Sequence, residues 1–172
     1  MKYFELYQLP VSFKIDEKIL KQKFLELSKK YHPDFFTHES VEKQAEILLL
    51  STLNNKAFKT LSNPESRIKY ILTEKGFLQE EEHYQLPQDF LFEMLDLNEM
   101  AESAATDKNT FNEAESEIVR YKAALDADIQ EDFEGFDEQV SDREFYEKVK
   151  EYYFKTKYLL RIRQQLDKFA GA

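Results

Sequence analysis

The chain has 172 residues, of which 42% are hydrophobic and 34% are charged, a balance that suits one globular domain or two small ones. It contains no Cys, which excludes a disulfide scaffold, a cysteine nucleophile and thiolate metal ligands. Its 3 Gly and 4 Pro, and the lack of alternating apolar runs, predict an all-α protein. No apolar run approaches the roughly 18 residues that favour a membrane span. Lys2 is not followed by a signal-peptide apolar region or an Arg-rich presequence, so we expect a cytoplasmic protein.

Charge is distributed unevenly along the chain, whose formal net charge is -10. Residues 1–75 contain 13 Lys and Arg against 10 Asp and Glu, whereas residues 76–172 contain 11 against 24. This asymmetry predicts two modules with different partners. The acidic second half argues against nucleic acid or an anionic membrane as its partner. Alternatively, most of these charges form a solvated surface that keeps the protein soluble.

Two amphipathic helices are predicted in the first module. The first runs from Asp16, a plausible N-cap, to Tyr31, and its apolar residues recur at steps of four, three and four: Leu20, Phe24, Leu27 and Tyr31. Pro33 disfavours the α conformation of His32, so this helix should end there. The second helix, about 40–61, should pack against the first as an antiparallel hairpin. His32, Pro33 and Asp34 are therefore expected at the exposed tip, where loops often carry function.

The tip and the helix before it allow a structural and a functional interpretation. His-Pro-Asp by itself is consistent with a simple turn. The helix carries lysines that are either a solvated face or a positive docking surface for an acidic partner: Lys18, Lys21, Lys23, Lys29 and Lys30. A zinc site built from His32, Asp34 and His38 would need a fourth ligand and supporting residues. Neither is visible, so we expect no metal.

The helix over 40–61 is widely apolar and is predicted to be the buried spine of the first module. Its apolar residues include Val41, Ala45, Ile47, Leu48, Leu49, Leu50, Leu53, Ala57, Phe58 and Leu61. Asn63 should cap a fourth helix that has Pro64 in its first position, and Gly76 should end it. Residues 77–86 form a polar connector, so we expect the boundary between the modules there.

Three further amphipathic helices predict an antiparallel three-helix bundle. They cover about 87–105, about 107–132, and a stretch from the capping-box pattern at Ser141 to about Phe169. The core stripe of the first is Phe90, Met94, Leu97, Ala101 and Ala104. The second places Phe111, Ala114, Ile118, Tyr121 and Leu125 on one face. The stripe of the third is Phe145, Val149, Tyr152, Thr156, Leu159, Leu160 and Leu166.

Several apolar residues of the bundle do not belong to these stripes. Leu91 and Leu95 point away from the Phe90 stripe, and Phe92 lies nearly opposite it. On the last helix, Phe154 lies opposite the Phe145 stripe. Acidic residues, Asp96 and Glu99 among them, surround the first three. Apolar residues with an acidic rim are typical of a binding patch, although burial against the first module is an alternative for Leu91.

Two sets of residues resemble known families. Tyr31-His32-Pro33-Asp34 after a basic helix, followed by the run from Asn55 to Pro64, resembles the J-domain of DnaJ-class co-chaperones. The whole chain is similar to the HscB-type J-domain co-chaperones of iron–sulfur cluster biogenesis, in Tyr3-Phe4, Gly76-Phe77, residues 90–97 and the final long helix. The resemblance implies a J-domain over 1–76, a connector over 77–86 and a scaffold-binding three-helix bundle over 87–172.

The resemblance also implies partners. The J-domain of this family stimulates ATP hydrolysis by a DnaK-like chaperone of HscA type, and the bundle binds an iron–sulfur cluster scaffold of IscU type. The scaffold-contacting positions of the family fall on Leu91, Phe92, Leu95, Asp96, Glu99 and Phe154. One acidic contact position falls on Ser103, which weakens that contact. Leu25-Glu26 replaces a basic pair of general J-domains, which favours a specialised chaperone, and Phe35 replaces the usual basic residue after Asp34.

No catalytic chemistry is predicted for this chain. We find no nucleophile–base arrangement and no Gly-rich phosphate loop, so the protein should act by binding, without a cofactor and without being an enzyme. The alternative function is that of a general J-domain chaperone that holds unfolded clients. The sequence lacks the Gly-rich linker and the Cys repeats of general DnaJ proteins, which favours the dedicated adaptor.

Overall fold

The computed structural model describes residues 1–104 and 108–168, and all regular structure in these ranges is helical. The elements are α1 (Lys2–Tyr7), α2 (Glu17–Lys30), a 3-10 helix (Pro33–Phe36), α3 (Val41–Ser62), α4 (Pro64–Glu74), α5 (Gln88–Ser103), α6 (Lys108–Glu134) and α7 (Arg143–Asp167). The all-α prediction, with an N-terminal helical hairpin and a C-terminal bundle, is confirmed. The predicted helix start at 107 and helix end near Phe169 lie outside the described residues. None of the described helices is long and apolar enough to span a membrane.

The chain divides into two compact units, one formed by Met1–Gly76 with Phe136–Val140 and the other by residues 77–135 and 141 onwards. In the first unit, α2 and α3 form the predicted antiparallel hairpin. Phe24 of α2 stacks on Phe58 of α3, with ring centroids 4.2 Å apart. The side chains of Asp16, Ser40 and Asn63 accept hydrogen bonds from the first backbone N–H groups of α2, α3 and α4, which satisfies donors that have no partner within the helix.

A buried asparagine connects the first three helices of this unit. Asn54 of α3 is 1% exposed. Its Nδ2 donates to the main-chain oxygen of Phe24 at 3.1 Å and to Ser28 Oγ at 2.9 Å. The hydroxyl of Tyr7, on α1, lies 2.8 Å from Asn54 Oδ1 and 2.9 Å from its main-chain oxygen. A polar residue is stable here because both ends of its amide have partners. Nothing in the apolar pattern of residues 40–61 marks Asn54 as a core residue.

Helix α3, predicted to be the buried spine of the first module, is buried along one stripe, and three of the apolar residues assigned to that spine are exposed. Val41, Leu48 and Leu49 are 78%, 60% and 71% exposed. The buried residues of α3 recur at steps of seven, three and four and so form one stripe: Ile47, Asn54, Ala57 and Leu61. Helices α1, α2 and α4 pack against α3, and a stripe this narrow leaves the opposite face of α3 in solvent.

The first unit also includes the short segment between α6 and α7. Phe136 packs edge-on against Phe13, with ring centroids 4.8 Å apart, and Lys75 Nζ lies 2.8 Å from Glu138 Oε1. Lys75 directly precedes Gly76, whose φ of 77° ends α4 in the conformation that glycine adopts most readily. Nothing in the sequence pattern indicates that residues 136–140 belong with the first unit.

The second unit is a three-helix bundle. Helices α6 and α7 are antiparallel, because residues later in α6 contact residues earlier in α7. The contacting pairs are Glu115 with Arg163, Asp126 with Tyr152, and Asp132 with Lys148. All five residues of the predicted α5 stripe are buried, and they share a core with these residues of α6 and α7: Ala114, Ile118, Leu159, Ile162 and Leu166. The bundle core therefore forms as the apolar spacing of α5 and α6 predicts.

The beginning of α7 and its buried face differ from the prediction. Asp142, not Ser141, is the N-cap, and its carboxylate accepts from the N–H of Phe145 at 3.0 Å. Leu160, predicted in the core stripe, is 40% exposed. The side chains buried along α7 are Tyr146, Val149, Tyr153, Leu159, Ile162 and Leu166. The buried side of α7 changes along its length. The first half of the helix contacts the connector, whereas the second half packs in the core with α5 and α6.

The connector is less polar in its contacts than its sequence suggests. Leu78 is 5% exposed, and the Phe77 ring stacks on Tyr146 at a centroid distance of 4.7 Å. Farther along, Glu82 forms an ion pair with Lys150 of α7. Residues 77–84 therefore pack on α7 as part of the second unit.

Candidate partner-binding sites

Pro33 determines the backbone conformation at the tip of the hairpin. His32 has φ and ψ of -71° and 123°, the extended conformation expected before Pro33. It is the N-cap of the 3-10 helix, and its Nδ1 accepts a hydrogen bond from the Asp34 N–H at 3.3 Å. Nδ1 must be unprotonated to accept this bond, so the neutral ring carries its hydrogen on Nε2. The cap fixes the imidazole against the backbone of Asp34.

The groups at the tip are open to a partner. The side chains of His32 and Asp34 are 51% and 83% exposed, with His32 Nδ1 and Asp34 Oδ2 3.7 Å apart. Phe35 is 68% exposed and its ring lies 5.5 Å from the imidazole, centroid to centroid. An exposed carboxylate of this kind can accept charge-assisted hydrogen bonds from an arginine or lysine of another protein.

The lysines predicted beside the tip are distributed along α2. Lys29 and Lys30 lie in its last turn, next to the tip, and Lys30 Nζ is 5.2 Å from the centroid of the Tyr31 ring. Lys21 is exposed and Lys23 is partly buried. Three of the four lysine side chains are therefore exposed, and they can attract an acidic surface.

The candidate apolar patch is on α5. Leu91, Phe92 and Leu95 are 37%, 68% and 54% exposed, while the other side of the same helix supplies four residues to the core and its C-cap, Ala104, supplies a fifth. Asp96 and Glu99 are exposed beside them. The structure therefore brings five of the six predicted positions together on the outer face of one helix.

The two edges of this exposed face of α5 lie beside different helices, α7 and α6. Leu91 and Leu95 precede Asn98 by seven and three residues and so share its side of α5. Asn98 Nδ2 donates to the hydroxyl of Tyr158 on α7 at 3.2 Å, so this side is next to α7. Asp96 instead lines an open groove of about 670 Å³ between α5 and α6. Other carboxylates of that groove are those of Glu93, Glu113 and Glu117.

Phe154, the sixth predicted position, is half-buried on α7. Its ring stacks face to face on Tyr84 of the connector, with centroids 4.6 Å apart and planes 4° apart. Helices α5 and α7 are neighbours, as membership of Phe154 in the patch requires. Sequence reasoning did not identify Tyr84, although a lone tyrosine in the polar run of residues 79–86 was a signal.

The described residues supply no candidate metal centre. Across residues 1–104 and 108–168, no group of three or more His, Asp or Glu side chains is arranged to hold a metal ion. His32 and Asp34 share the tip, and the hydrogen bond within it already uses the Nδ1 lone pair of His32.

A helical hairpin with an exposed His-Pro-Asp tip, joined in one chain to a three-helix bundle, defines the class of J-domain co-chaperones. Residues 86–167 match the family described as the HSCB C-terminal oligomerisation domain. The chain is 32% identical to the co-chaperone protein HscB of Buchnera aphidicola subsp. Acyrthosiphon pisum (strain Tuc7), over 95% of this chain and 99% of the relative. The chain therefore belongs to the HscB family of co-chaperones, and the resemblance inferred from the sequence is confirmed.

Two solved structures have similar folds. The human co-chaperone protein HscB matches with a TM-score of 0.80 and 28% identity, over 96% of this chain and 80% of the human one. The chaperone HscB from Vibrio cholerae matches with a TM-score of 0.76 over 98% of this chain and 96% of that chain. At 22% identity, the latter comparison bears on the fold alone.

Proposed function

We propose that this cytoplasmic co-chaperone binds an iron–sulfur cluster scaffold of IscU type and delivers it to a DnaK-like chaperone of HscA type. Residues 1–76 act as the J-domain, 77–86 as the connector and 87–172 as the scaffold-binding bundle. The observation that carries the proposal is the two-sided α5, whose inner face is buried while Leu91, Phe92 and Leu95 remain exposed. Membership of the HscB family supports the same conclusion.

The tip stimulates ATP hydrolysis by binding the chaperone, not by catalysing a reaction itself. The Asp34 carboxylate accepts a charge-assisted bond from a basic residue of the chaperone. His32 accepts a hydrogen bond from the Asp34 main-chain N–H and so fixes the backbone from which the carboxylate extends. Lys21, Lys29 and Lys30 attract an acidic surface of the chaperone. Preferential binding to the hydrolysis-competent conformation shifts the chaperone toward that conformation.

The apolar patch provides most of the scaffold affinity. Apolar anchors at the centre of an interface typically contribute about 2 kcal/mol or more each, and Phe92 and Leu95 are the more exposed anchors. Asp96 and Glu99 form an acidic rim that mainly increases the association rate. Their contribution should decrease with added salt because both carboxylates are solvated.

Single-turnover ATP hydrolysis by the chaperone tests the tip. Asp34→Asn and His32→Gln should each remove stimulation, whereas Glu39→Gln, which neutralises an exposed carboxylate shortly after the 3-10 helix, should leave it intact. Helical circular dichroism should be unchanged in all three, because substitutions at exposed turn positions typically cost under about 1 kcal/mol. Wild-type stimulation by both tip variants would refute this role.

Calorimetry with the folded scaffold tests the patch. Alanine at Leu91, Phe92 and Leu95 together should abolish binding without loss of helix content. The matched control is the pair Val119→Ala and Leu160→Ala, which are also exposed apolar residues of the bundle, at 56% and 40%. The control should bind normally. If the triple variant binds, or if its bundle melts, the assignment of the patch is wrong.

A general holding activity is the second candidate, and the exposed side chains of Val41, Leu48 and Leu49 on α3 favour it. A holding chaperone suppresses aggregation of unrelated unfolded proteins, whereas an adaptor binds one folded protein at fixed stoichiometry. We expect no suppression of aggregation of a chemically unfolded model protein. We expect a pull-down from cell extract to recover one scaffold and one chaperone.

A further inference from the structure

The connector residue Tyr84 lies directly on Phe154. The two rings are nearly parallel, at 4°, with centroids 4.6 Å apart, a geometry in which aromatic pairs are stabilised beyond the burial of their area. Both side chains are half-buried. Burial also raises the pKa of the Tyr84 hydroxyl, which is consistent with a ring held against the helix.

An ion pair fixes this part of the connector to α7. Lys150 lies four residues before Phe154, one turn earlier on the same side of α7. Its Nζ is 2.5 Å from Glu82 Oε1 and 5.7 Å from the centroid of the Tyr84 ring. The Lys150 side chain is 11% exposed, and the contact lowers the pKa of the Glu82 carboxyl. Glu82, Lys150, Tyr84 and Phe154 thus form one continuous set of contacts.

We propose that Tyr84 is a positioning residue of the scaffold-binding site, which holds the Phe154 ring in the orientation that meets the apolar surface of the partner. This inference rests on the proposed function. A phenylalanine at the surface of a helix rotates freely unless a neighbour restrains it, and immobilising a free side chain on binding reduces affinity. Tyr153 meets the Phe154 ring edge-on, with centroids 5.3 Å apart, and the Tyr84 stack adds a restraint on its face before the partner arrives. The Glu82–Lys150 pair holds Tyr84 in place.

Calorimetric titration of the IscU-type scaffold with full-length variants tests this role. Tyr84→Ala should weaken binding about two- to tenfold, the range that the energy of an aromatic pair implies. Tyr84→Phe keeps the stacked ring and should bind like wild type. His83→Ala alters the exposed neighbouring side chain of the same connector and should also bind like wild type.

A double-mutant cycle separates positioning from general loosening of the connector. In a Phe154→Ala background, Tyr84→Ala should produce no further loss, because the ring that it orients is absent. An equal loss in both backgrounds would overturn the inference. So would unchanged affinity of the single variant, or tighter binding, which would identify Tyr84 as a cover that the partner displaces.

The patch variant distinguishes failure of this inference from failure of the proposed function. If alanine at Leu91, Phe92 and Leu95 abolishes binding but Tyr84→Ala does not change it, the scaffold site stands and the role of Tyr84 is refuted. If wild type does not bind the scaffold, both are refuted. A fluorine label on the Phe154 ring gives a readout without the partner, since its resonance should move when Tyr84 is replaced by alanine.

Discussion

Replacing the buried Asn54 by alanine should destabilise the first unit by about 2 kcal/mol. The side chain donates to Phe24 and Ser28 and accepts from Tyr7, and a hydrogen bond of this kind contributes roughly 1 kcal/mol. Two effects reduce the expected total of about 3 kcal/mol. The Tyr7 hydroxyl keeps the main-chain oxygen of residue 54 as an acceptor at 2.9 Å, and alanine is a better helix former by roughly 0.5 kcal/mol.

Urea unfolding of the full chain, followed by far-ultraviolet circular dichroism, measures this loss. Asn55→Ala is the matched control, because it makes the same chemical change at the exposed neighbouring position of α3 and gains helix propensity without losing these bonds. Tyr7→Phe removes one donor and should cost about 1 kcal/mol. Amide hydrogen exchange should show the loss of protection in α1–α3, since Asn54 joins those helices.

A loss under about 0.5 kcal/mol relative to Asn55→Ala would refute the structural role of Asn54, because it would mean that water replaces the three partners without cost. Equal loss of protection in α5–α7 would also refute it, because the hydrogen bonds of Asn54 lie within the first unit. A confirmed effect would show that the orientation of the hairpin depends on a polar contact as well as on apolar burial.

Further predictions concern the same unit. Burial raises the pKa of Tyr7 above its ordinary value near 10. The stability that this group contributes is therefore complete below about pH 10 and is lost as pH rises toward the folded-state pKa. In Tyr7→Phe, the free energy of unfolding should decrease less steeply with pH above pH 10. Arg67→Met should cost about 2–3 kcal/mol in urea unfolding, because the buried guanidinium donates to two main-chain oxygens, whereas the exposed Arg143→Met should cost under about 0.5 kcal/mol. Gly76→Ala should lower stability by about 1 kcal/mol through its φ of 77° alone, since an added Cβ meets nothing within 4 Å; a larger loss in the same assay would indicate a clash.

The helices, and the caps of α2 and α4, were predictable because their signals are local. Asp16, Asn63, Pro64 and Gly76 act on groups within a few residues of themselves, so a linear pattern contains the whole interaction. The extended conformation of His32 follows in the same way from Pro33. The α5 stripe was predictable for a related reason, since a helix with one buried face repeats its apolar residues at fixed steps.

Residues whose role depends on a distant partner were not predictable in this way. Asn54 is an ordinary polar residue in the sequence, and it is a core residue because Tyr7 and Phe24 are brought to it by packing. Leu48 and Leu49 have the composition of a core, yet they are exposed because the buried stripe of α3 is narrower than its apolar surface. Apolar character shows that a residue can be buried, and only packing decides whether it is.

The sequence alone determined the helical class, the hairpin with His32, Pro33 and Asp34 at its tip, and the two-sided character of α5. The tertiary structure decided which face of each helix is covered, how residues 136–140 group with the first unit, and that Tyr84 lies on Phe154. The physical reason is the distance along the chain over which each interaction acts. Backbone preferences and helical periodicity act between neighbours along the chain. A stacked pair of rings 70 residues apart exists only after the chain has folded, and no local pattern encodes it.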